Sequence, residues 1–143
     1  MHKRIYCDTN ILVDLFDTKR PYHSYSVELL KKLFANERVE LFINTDTLSN
    51  LFYLLRSYIK LDFDTAIKKL EYIKNSFTIV SSQLEDIEAT LALCKAHSFN
   101  DYEDAMQYVC ALKAKCSLII TNNPKDFKNS SLPIVTSKEL SQL

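Results

Sequence analysis

Apolar residues follow two periods along this chain, and segments with the two periods alternate. Short, mainly apolar runs typical of buried strands are predicted at 3–7, 39–43, 77–80, 117–121 and 133–136. Segments with an apolar residue every three or four positions predict amphipathic helices at 9–16, 21–36, 46–58, 63–74, 86–97 and 101–115, with a final helical turn at 138–141. Strands that alternate with helices indicate an α/β fold, a three-layer α/β/α sandwich around a central, mainly parallel sheet.

The composition is that of one globular domain. Of the 143 residues, 47% are aliphatic, aromatic or cysteine and 25% are charged, enough to bury a core and keep a polar surface. No repeat, linker or low-complexity segment divides the chain, so a single domain over residues 1–143 is expected. No run approaches the roughly 20 apolar residues of a membrane span, and no signal segment opens the sequence. A cytoplasmic protein without membrane contact is expected.

Glycine is absent, which excludes two large classes of nucleotide-binding protein. P-loops and dinucleotide-binding turns need glycine for close approach of the backbone to phosphate, so no nucleotide cofactor is expected. At the end of the second helix, Asn36 is expected to take the left-handed conformation in place of glycine. The formal net charge is zero, which argues against a strong non-specific nucleic-acid binder.

The four cysteines are predicted to be reduced residues in or beside the core. They lie in or next to apolar periodic segments, and neither a CxxC motif nor a histidine at zinc-ligand spacing accompanies them. The residues are Cys7, Cys94, Cys110 and Cys116. A disulfide or a zinc site is the less favoured interpretation.

Four aspartates are predicted to meet at one edge of the sheet. The first strand ends at Asp8, and the strand at 117–121 leads into a polar elbow that carries Asp126. The helix before that strand runs antiparallel to it, so Asp101 and Asp104 in its first turn face the same edge. Crowded carboxylates raise one another's pKa or bind a cation. Oxygen ligands favour a hard divalent ion, so a Mg²⁺ or Mn²⁺ site is predicted.

The motifs around these aspartates resemble those of the PIN domain family, metal-dependent nucleases that include VapC-type toxins of bacterial toxin–antitoxin pairs. The likeness covers nearly the whole chain and is carried, in order, by DTN at 8–10, DYEDA at 101–105 and TNNPKDF at 121–127. The resemblance implies a PIN-like fold and a ribonuclease that hydrolyses RNA phosphodiester bonds with Mg²⁺ or Mn²⁺. It also implies a homodimer and a small antitoxin partner whose tail covers the acidic groove.

Carried over residue by residue, the resemblance assigns roles to the matching positions. Asp8, Asp104 and Asp126 would be catalytic acids that hold the metal ion, and Asp101 would be an additional metal ligand. Four further residues would shape the pocket by hydrogen bonding, namely Thr9, Asn10, Thr121 and Asn123. Asn50 stands where many family members carry a glutamate, and an amide is a poorer metal ligand than a carboxylate. We expect Asn50 to line the pocket.

Structural interpretations of the acidic residues stay open beside these roles. Acids in the first turn of a helix favour its dipole, and Asn100 with Glu103 matches a capping box. Asp8 and Asp126 could likewise cap the helix or turn that follows them. Glu103 is predicted to point away from the face of the metal-site acids, and Asp14 is predicted to face solvent.

Two other functions stay open as well. An aspartyl-phosphate phosphatase would use Asp8 as a covalent nucleophile, but that chemistry favours a second aspartate where Asn10 stands. A non-catalytic module would bind RNA or protein through a degenerate acidic pocket, with Asn50 as a sign of lost activity. Lys19, Arg20 and other cations near the acidic edge could meet phosphates, although scattered basic residues are commonly plain surface.

Overall fold

The five strands of the structure form one parallel sheet. The computed structural model describes residues 2–141, and its strands are β1 (Lys3–Cys7), β2 (Val39–Asn44), β3 (Thr78–Val80), β4 (Leu118–Ile120) and β5 (Ile134–Val135). Their order is β3-β2-β1-β4-β5, and every neighbouring pair is parallel. The predicted strands are confirmed to within one residue at each end.

The helices lie where the apolar periodicity predicts them, with ends that differ by at most two residues. They are α1 (Thr9–Phe16), α2 (His23–Phe34), α3 (Thr45–Ser57), α4 (Phe63–Ser76), α5 (Leu84–Lys95), α6 (Tyr102–Lys113) and α7 (Ser137–Ser141). A short 3₁₀ helix, Pro124–Phe127, follows β4 where the sequence predicts only a polar elbow.

Alternate side chains of each central strand enter two separate cores. Ile5 and Cys7 pack with residues of α1 to α4 on one face of the sheet, whereas Tyr6 packs with residues of α5 and α6 on the other. The chain moves outward from β1 to β3 and then returns to β4 on the far side of β1. Right-handed crossovers in opposite directions require helices on opposite faces. The predicted three-layer sandwich is therefore confirmed.

Two smaller predictions have different outcomes. All four cysteines are free, and three of them are buried, as expected. The prediction for Asn36 is wrong, because within residues 2–141 positive φ angles occur at Lys60, His97 and Lys115. The chain leaves α2 through Ala35 in the right-handed region, and the Asn36 side chain accepts a hydrogen bond from the Arg38 amide at 2.9 Å instead.

The strand order places a crevice beside the central strand. β1 and β4 are neighbours in the sheet, but their connections leave in opposite directions, so their carboxyl ends form a topological switch point. Ligands of open α/β sheets bind at this position because the loops diverge there. No helix within residues 2–141 is both long and apolar enough to cross a membrane.

Candidate active site at the carboxyl edge of the sheet

A cavity of about 420 Å³ opens at the carboxyl ends of β1 and β4. Three separate parts of the sequence supply acids to its wall: the residue after β1, the start of α6 and the 3₁₀ helix. We call this space the acidic cavity, and its carboxyl groups are those of Asp8, Asp101, Glu103, Asp104 and Asp126. The structure thus brings the four predicted aspartates to one cavity and adds a glutamate.

Asp8 is held by hydrogen bonds from the two elements next to it. It occupies the N-cap position of α1, yet its side chain makes no capping hydrogen bond. Thr121 Oγ1 donates to Oδ2 at 2.6 Å and Gln107 Nε2 donates to Oδ1 at 2.8 Å. Burial raises the pKa of Asp8 above its ordinary value, and these hydrogen bonds offset only part of that rise. The carboxylate is therefore fixed in orientation rather than free to cap.

Gln107 is a site residue that the sequence does not reveal. It is fully buried on α6, and its Oε1 accepts from the Thr9 amide at 3.0 Å and from Thr9 Oγ1 at 3.3 Å. Because its oxygen faces Thr9, its amide nitrogen is directed at Asp8. A single amide within a helical segment gives no sign of such partners, which lie almost a hundred residues away in sequence.

The first turn of α6 carries two of the predicted acids. Asp101 is the N-cap, and its Oδ1 accepts from the Asp104 backbone amide at 3.0 Å, so the alternative in which Asn100 and Glu103 form a capping box is wrong. Asp104 is partly buried, and its pKa is raised to about 8 by burial and then by the charges of Asp8, Asp101 and Asp126. Burial and the neighbouring carboxylates both disfavour the ionised form of Asp104.

Glu103 belongs to the acidic cavity, and the prediction that it points away is wrong. Its side chain is partly buried, and its pKa is raised to about 7 by burial first and then by the charges of Asp8 and Asp101. Asn50 Nδ2 on α3 donates a hydrogen bond to Glu103 Oε2. Asn50 itself lines a neighbouring cavity of about 340 Å³ and reaches the acidic cavity only through Glu103. The Glu103 carboxyl therefore lies between Asn50 on α3 and Thr9 on α1, inside the cavity.

Two asparagines, one on the elbow after β4 and one on α1, complete the hydrogen-bond network of the site. Asn123 Nδ2 donates a hydrogen bond to Asp126 Oδ2, and the backbone amide of Asn123 donates to Thr121 Oγ1 at 3.0 Å. Asn10 Nδ2 donates to the same threonine oxygen at 3.2 Å. Thr121 therefore accepts from both asparagines while it donates to Asp8, which joins the ends of β1 and β4 in one network.

Asp14 lies behind this network, and the prediction that it faces solvent is wrong. Its side chain on α1 is buried, and it accepts from Arg20 Nε at 2.5 Å, from Ser26 Oγ at 3.2 Å and from Asn122 Nδ2. Arg20 lies on the loop that follows α1, so the ion pair fixes this loop against the helix. The sequence places Asp14 on a helix but does not show which face the following loop covers.

The donor chemistry of the acidic cavity fits a hard divalent cation. Within residues 2–141, no three side chains of His, Cys, Asp or Glu form a group close enough to be a direct ligand set. Mg²⁺ keeps several water ligands in protein sites, so carboxylates can hold it partly through water. Burial and then the charges of neighbouring carboxylates raise the pKa values of Glu103 and Asp104, and a bound cation would favour the ionised form of both groups.

The fold is a parallel α/β/α sandwich with an acidic cavity at its topological switch point. Comparison of the chain with known protein families identifies the class of protein that has this arrangement. The PIN domain family model matches residues 5–130, and the chain belongs to this family. It is similar to ribonuclease VapC1 of Aquifex aeolicus (strain VF5), with 30% identity over 138 residues that cover 96% of this chain and 92% of that protein.

Solved structures show the same fold. DNA-bound VapBC from Salmonella typhimurium is similar with a TM-score of 0.70 and 16% identity, and the match covers 96% of this chain and 99% of that one. A toxin–antitoxin complex from Klebsiella pneumoniae is similar with a TM-score of 0.66 and 22% identity, over 93% of this chain and 97% of that one. The PIN-like architecture expected from the sequence is therefore confirmed.

Proposed function

We propose that this protein is an endoribonuclease that depends on Mg²⁺ or Mn²⁺ and acts as the toxin of a toxin–antitoxin pair. One observation supports it above the others: acids from three distant segments line one cavity at the switch point of the sheet. The relative at 30% identity is named a ribonuclease, which fits RNA as the substrate. Hydrolysis of a phosphodiester is chemistry that oxygen-ligated divalent ions commonly support.

In this proposal the aspartates of the acidic cavity hold the ion, partly through water. They are Asp8, Asp101, Asp104 and Asp126. When bound, the ion lowers the pKa of the attacking water and offsets charge on the phosphate. Thr121 and Gln107 hold Asp8 in one orientation, so this ligand does not have to reorganise. Asn10, Asn123 and Thr9 line the same cavity and form its polar wall.

Glu103 supplies the acid that Asn50 lacks. Asn50 stands at the position of the glutamate found in many family members, and its amide donates to the Glu103 carboxylate. Glu103 thereby brings a carboxyl group to the cavity from α6, while α3 contributes none there. Asn50 acts in this proposal as a positioning residue, because it orients Glu103 and does not itself line the acidic cavity.

The direct test is cleavage of RNA by the protein and by Asp8→Asn and Asp104→Asn variants in Mg²⁺ or Mn²⁺. Both variants are expected to lose cleavage while the free energy of unfolding stays within about 1–2 kcal/mol or rises, because repulsion between carboxylates is relieved. Asp64→Asn, an exposed aspartate on α4, is the matched control and should retain cleavage. An active Asp8→Asn protein, or full activity in chelator, would remove the proposal.

A non-catalytic module is the second candidate, favoured by Asn50 in place of the family glutamate. Calorimetry with Mn²⁺ separates the two, since this candidate predicts neither heat of binding nor cleavage. The phosphatase alternative has less support, because both oxygens of the buried Asp8 already accept hydrogen bonds and Asn10 stands where a second aspartate is favoured. Trapping of a phospho-aspartate would revive it.

The proposed toxin role also requires partners, and two apolar surfaces are available for them. Tyr53, Phe63 and Ile67 are exposed on α3 and α4 on one face of the sheet. Leu84, Ile87 and Leu91 are exposed along α5 on the other face. We propose a homodimer and an antitoxin as their occupants, since the Klebsiella neighbour is named a toxin–antitoxin complex. Mass measurement in solution for Leu91→Glu and for Ile67→Glu would show which surface joins two copies.

A further inference from the structure

A second and larger cavity adjoins the acidic cavity. Its volume is about 830 Å³, and its wall is formed by the loop between α1 and α2, the residues after α3 and the elbow after β4. We call it the loop cavity. Four residues line both spaces: Asn10, Arg20, Tyr58 and Asn123. The two cavities are therefore neighbouring parts of one groove, with the proposed cleavage site at one end.

Arg20 lines both cavities, and an ion pair with the buried Asp14 holds its side chain in place. Its Nε donates to Oδ1 of Asp14, which is 1% exposed, while the Arg20 side chain keeps 30% of its surface exposed. Ser26 and Asn122 donate to the other carboxylate oxygen of Asp14. A buried carboxylate needs a partner of opposite charge. That pairing uses Nε, and the Arg20 guanidinium, which lines both cavities, also lies beside the Tyr58 side chain.

The rest of the loop cavity suits a nucleotide. Lys19 adds a second cation, and Tyr22 and Tyr58 present rings that are 37% and 56% exposed. Asp17 is the acid in the wall, and its Oδ1 accepts from the Lys19 amide at 3.1 Å. A planar guanidinium binds phosphate through paired hydrogen bonds, and exposed aromatic rings stack on bases. Because the formal net charge of the chain is zero, its binding of RNA depends on local cations such as these.

We propose that the loop cavity binds the nucleotide adjacent to the scissile phosphodiester of a single-stranded RNA. Arg20 contacts the phosphate of this nucleotide, and Tyr58 or Tyr22 stacks on its base. The proposal rests on the proposed ribonuclease function and adds where the strand continues beyond the acidic cavity. Arg20 is a binding residue here, and Asp14 is a positioning residue that acts through it.

The test measures RNA affinity in protein that cannot cleave. An Asp8→Asn background is titrated against a fluorescein-labelled hexauridylate by anisotropy at several salt concentrations. Adding Arg20→Gln is expected to weaken binding and to reduce the slope of log K against log salt by about 0.7, the value for one phosphate contact on a single strand. Arg38→Gln, an exposed arginine just before β2 at the opposite edge of the sheet, should leave the slope unchanged.

Stacking is tested separately from charge. Tyr58→Leu and Tyr22→Leu remove one ring each, and loss of the ring that stacks is expected to lower the affinity about 5-fold to 150-fold without a change in salt slope. A hexanucleotide series with one abasic position locates the contact. At the stacked position, loss of the base should weaken binding to the parent protein and leave binding to the tyrosine variant unchanged.

Arg20→Gln leaves Asp14 buried without its cation, so folding needs its own control. The double variant Asp14→Asn with Arg20→Gln removes both charges, and Arg20→Lys keeps the cation but loses the planar fork. Circular dichroism and thermal unfolding verify that each variant is folded before it is titrated. We expect the double variant to lose the phosphate contact as Arg20→Gln does, and Arg20→Lys to restore the salt slope but only part of the affinity.

The outcomes separate this proposal from the proposed function. If Asp8→Asn abolishes cleavage but the Arg20 and tyrosine variants keep RNA affinity and salt slope, the nuclease assignment stands and the nucleotide subsite is wrong. If the protein neither cleaves nor binds RNA, both are wrong. A reduced slope in the folded double variant with an unchanged slope in Arg38→Gln supports the subsite.

Discussion

At the scale of single residues, Glu103 and Asn50 form a pair whose two side chains could be exchanged. Asn50 on α3 donates to Glu103 on α6, and only the glutamate reaches the acidic cavity. We expect Glu103→Gln to weaken Mn²⁺ binding and cleavage by about tenfold or more, because a carboxylate is replaced by a poorer ligand. Asn50→Glu combined with Glu103→Gln should recover part of both, since the acid returns from α3.

Calorimetric Mn²⁺ affinity and cleavage rate, measured on the single and double variants, test this exchange. Asn50→Ala is the matched control, because it removes the hydrogen bond that orients Glu103 but keeps the Glu103 carboxylate. It should lower Mn²⁺ affinity and cleavage rate less than Glu103→Gln does. Equal Mn²⁺ affinity in the parent protein and in Glu103→Gln would show that Glu103 takes no part in the site.

The raised carboxyl pKa values predict a pH-dependent stability in the metal-free protein. The ordinary values of 3.8 for Asp104 and 4.5 for Glu103 rise to about 8 and about 7 in the folded state. The folded state therefore binds more protons than the unfolded state between about pH 4 and pH 8, and the free energy of unfolding falls as pH rises through this window. We expect a loss of about 1–3 kcal/mol, moderated by partial exposure of both groups.

Urea unfolding in chelator at pH 5, 6.5 and 8 measures this loss. Asp104→Asn should flatten the profile, because its amide does not titrate, while Asp64→Asn should leave the profile unchanged. A parent protein that is as stable at pH 8 as at pH 5 would contradict the raised pKa values of Asp104 and Glu103.

The acids at strand ends could be predicted from the sequence, but their partners could not. Asp8 and Asp126 follow apolar strands, and parallel strands bring such positions to one edge. The buried positions of Asp14 and Gln107 depend on contacts with a loop or a helix whose path is set by packing. The direction of Glu103 depends on α3 in the same way. Periodicity locates a residue on an element, whereas tertiary contacts select its neighbours.

At the scale of elements, α5 and α6 end in the same unusual way. Each is followed by a residue in the left-handed conformation, His97 and Lys115, both with φ of 57°. The backbone amide of the next residue then donates a hydrogen bond to a carbonyl of the last helical turn. Ser98 donates to Leu93 and Cys116 donates to Ala111, both at 3.0 Å. This is the Schellman pattern, in which glycine is the favoured left-handed residue, but the chain contains no glycine.

His97→Gly and Lys115→Gly are therefore expected to raise the free energy of unfolding by about 0.5–1 kcal/mol each. Glycine removes the side-chain clash of the left-handed conformation, which outweighs its greater freedom in the unfolded chain. Chemical denaturation measures the change. Lys95→Gly, in the last turn of α5, is the control and should lower stability by a similar amount. Destabilisation by both cap variants would show that these helix ends carry no such strain.

The elements themselves were predictable because their patterns are long and regular. Helices with a wide apolar face and strands bounded by polar residues leave an error of only one or two residues. The sequence does not predict the 3₁₀ helix, since four residues are too few to establish a period. The sequence does not reveal the left-handed helix ends either, because histidine and lysine stand there in place of the glycine that commonly marks such an end.

At the scale of the whole molecule, the reversal of strand order at β1 is what creates the site. Two sets of crossovers place helices on opposite faces, and the loops after β1 and β4 diverge above the point where the sets meet. The acidic cavity and the loop cavity both open there. Alternation of strands and helices could predict the layers from the sequence. The strand order could be expected only through the family resemblance, because apolar patterns do not encode which strands are neighbours.

The fold should in turn be stabilised when the acidic cavity is occupied. A cation that binds the folded state and not the unfolded chain adds about 2.7 kcal/mol at a concentration 100 times its dissociation constant. For a chain of this length, that corresponds to a rise in melting temperature of about 5–10 °C with saturating Mn²⁺. The rise should be larger at pH 8 than at pH 6, because the ion displaces protons from Glu103 and Asp104.

Thermal unfolding with and without Mn²⁺ at the two pH values checks this coupling, and Ca²⁺ offers a comparison ion that prefers more oxygen ligands. Asp8→Asn should remove most of the rise, whereas Asp64→Asn should keep it. An equal rise in the parent protein and in Asp8→Asn would mean that the ion binds elsewhere. The repulsion between the carboxylates would then lower the stability of the fold without providing a metal site. Some role other than metal binding would have to account for their close approach.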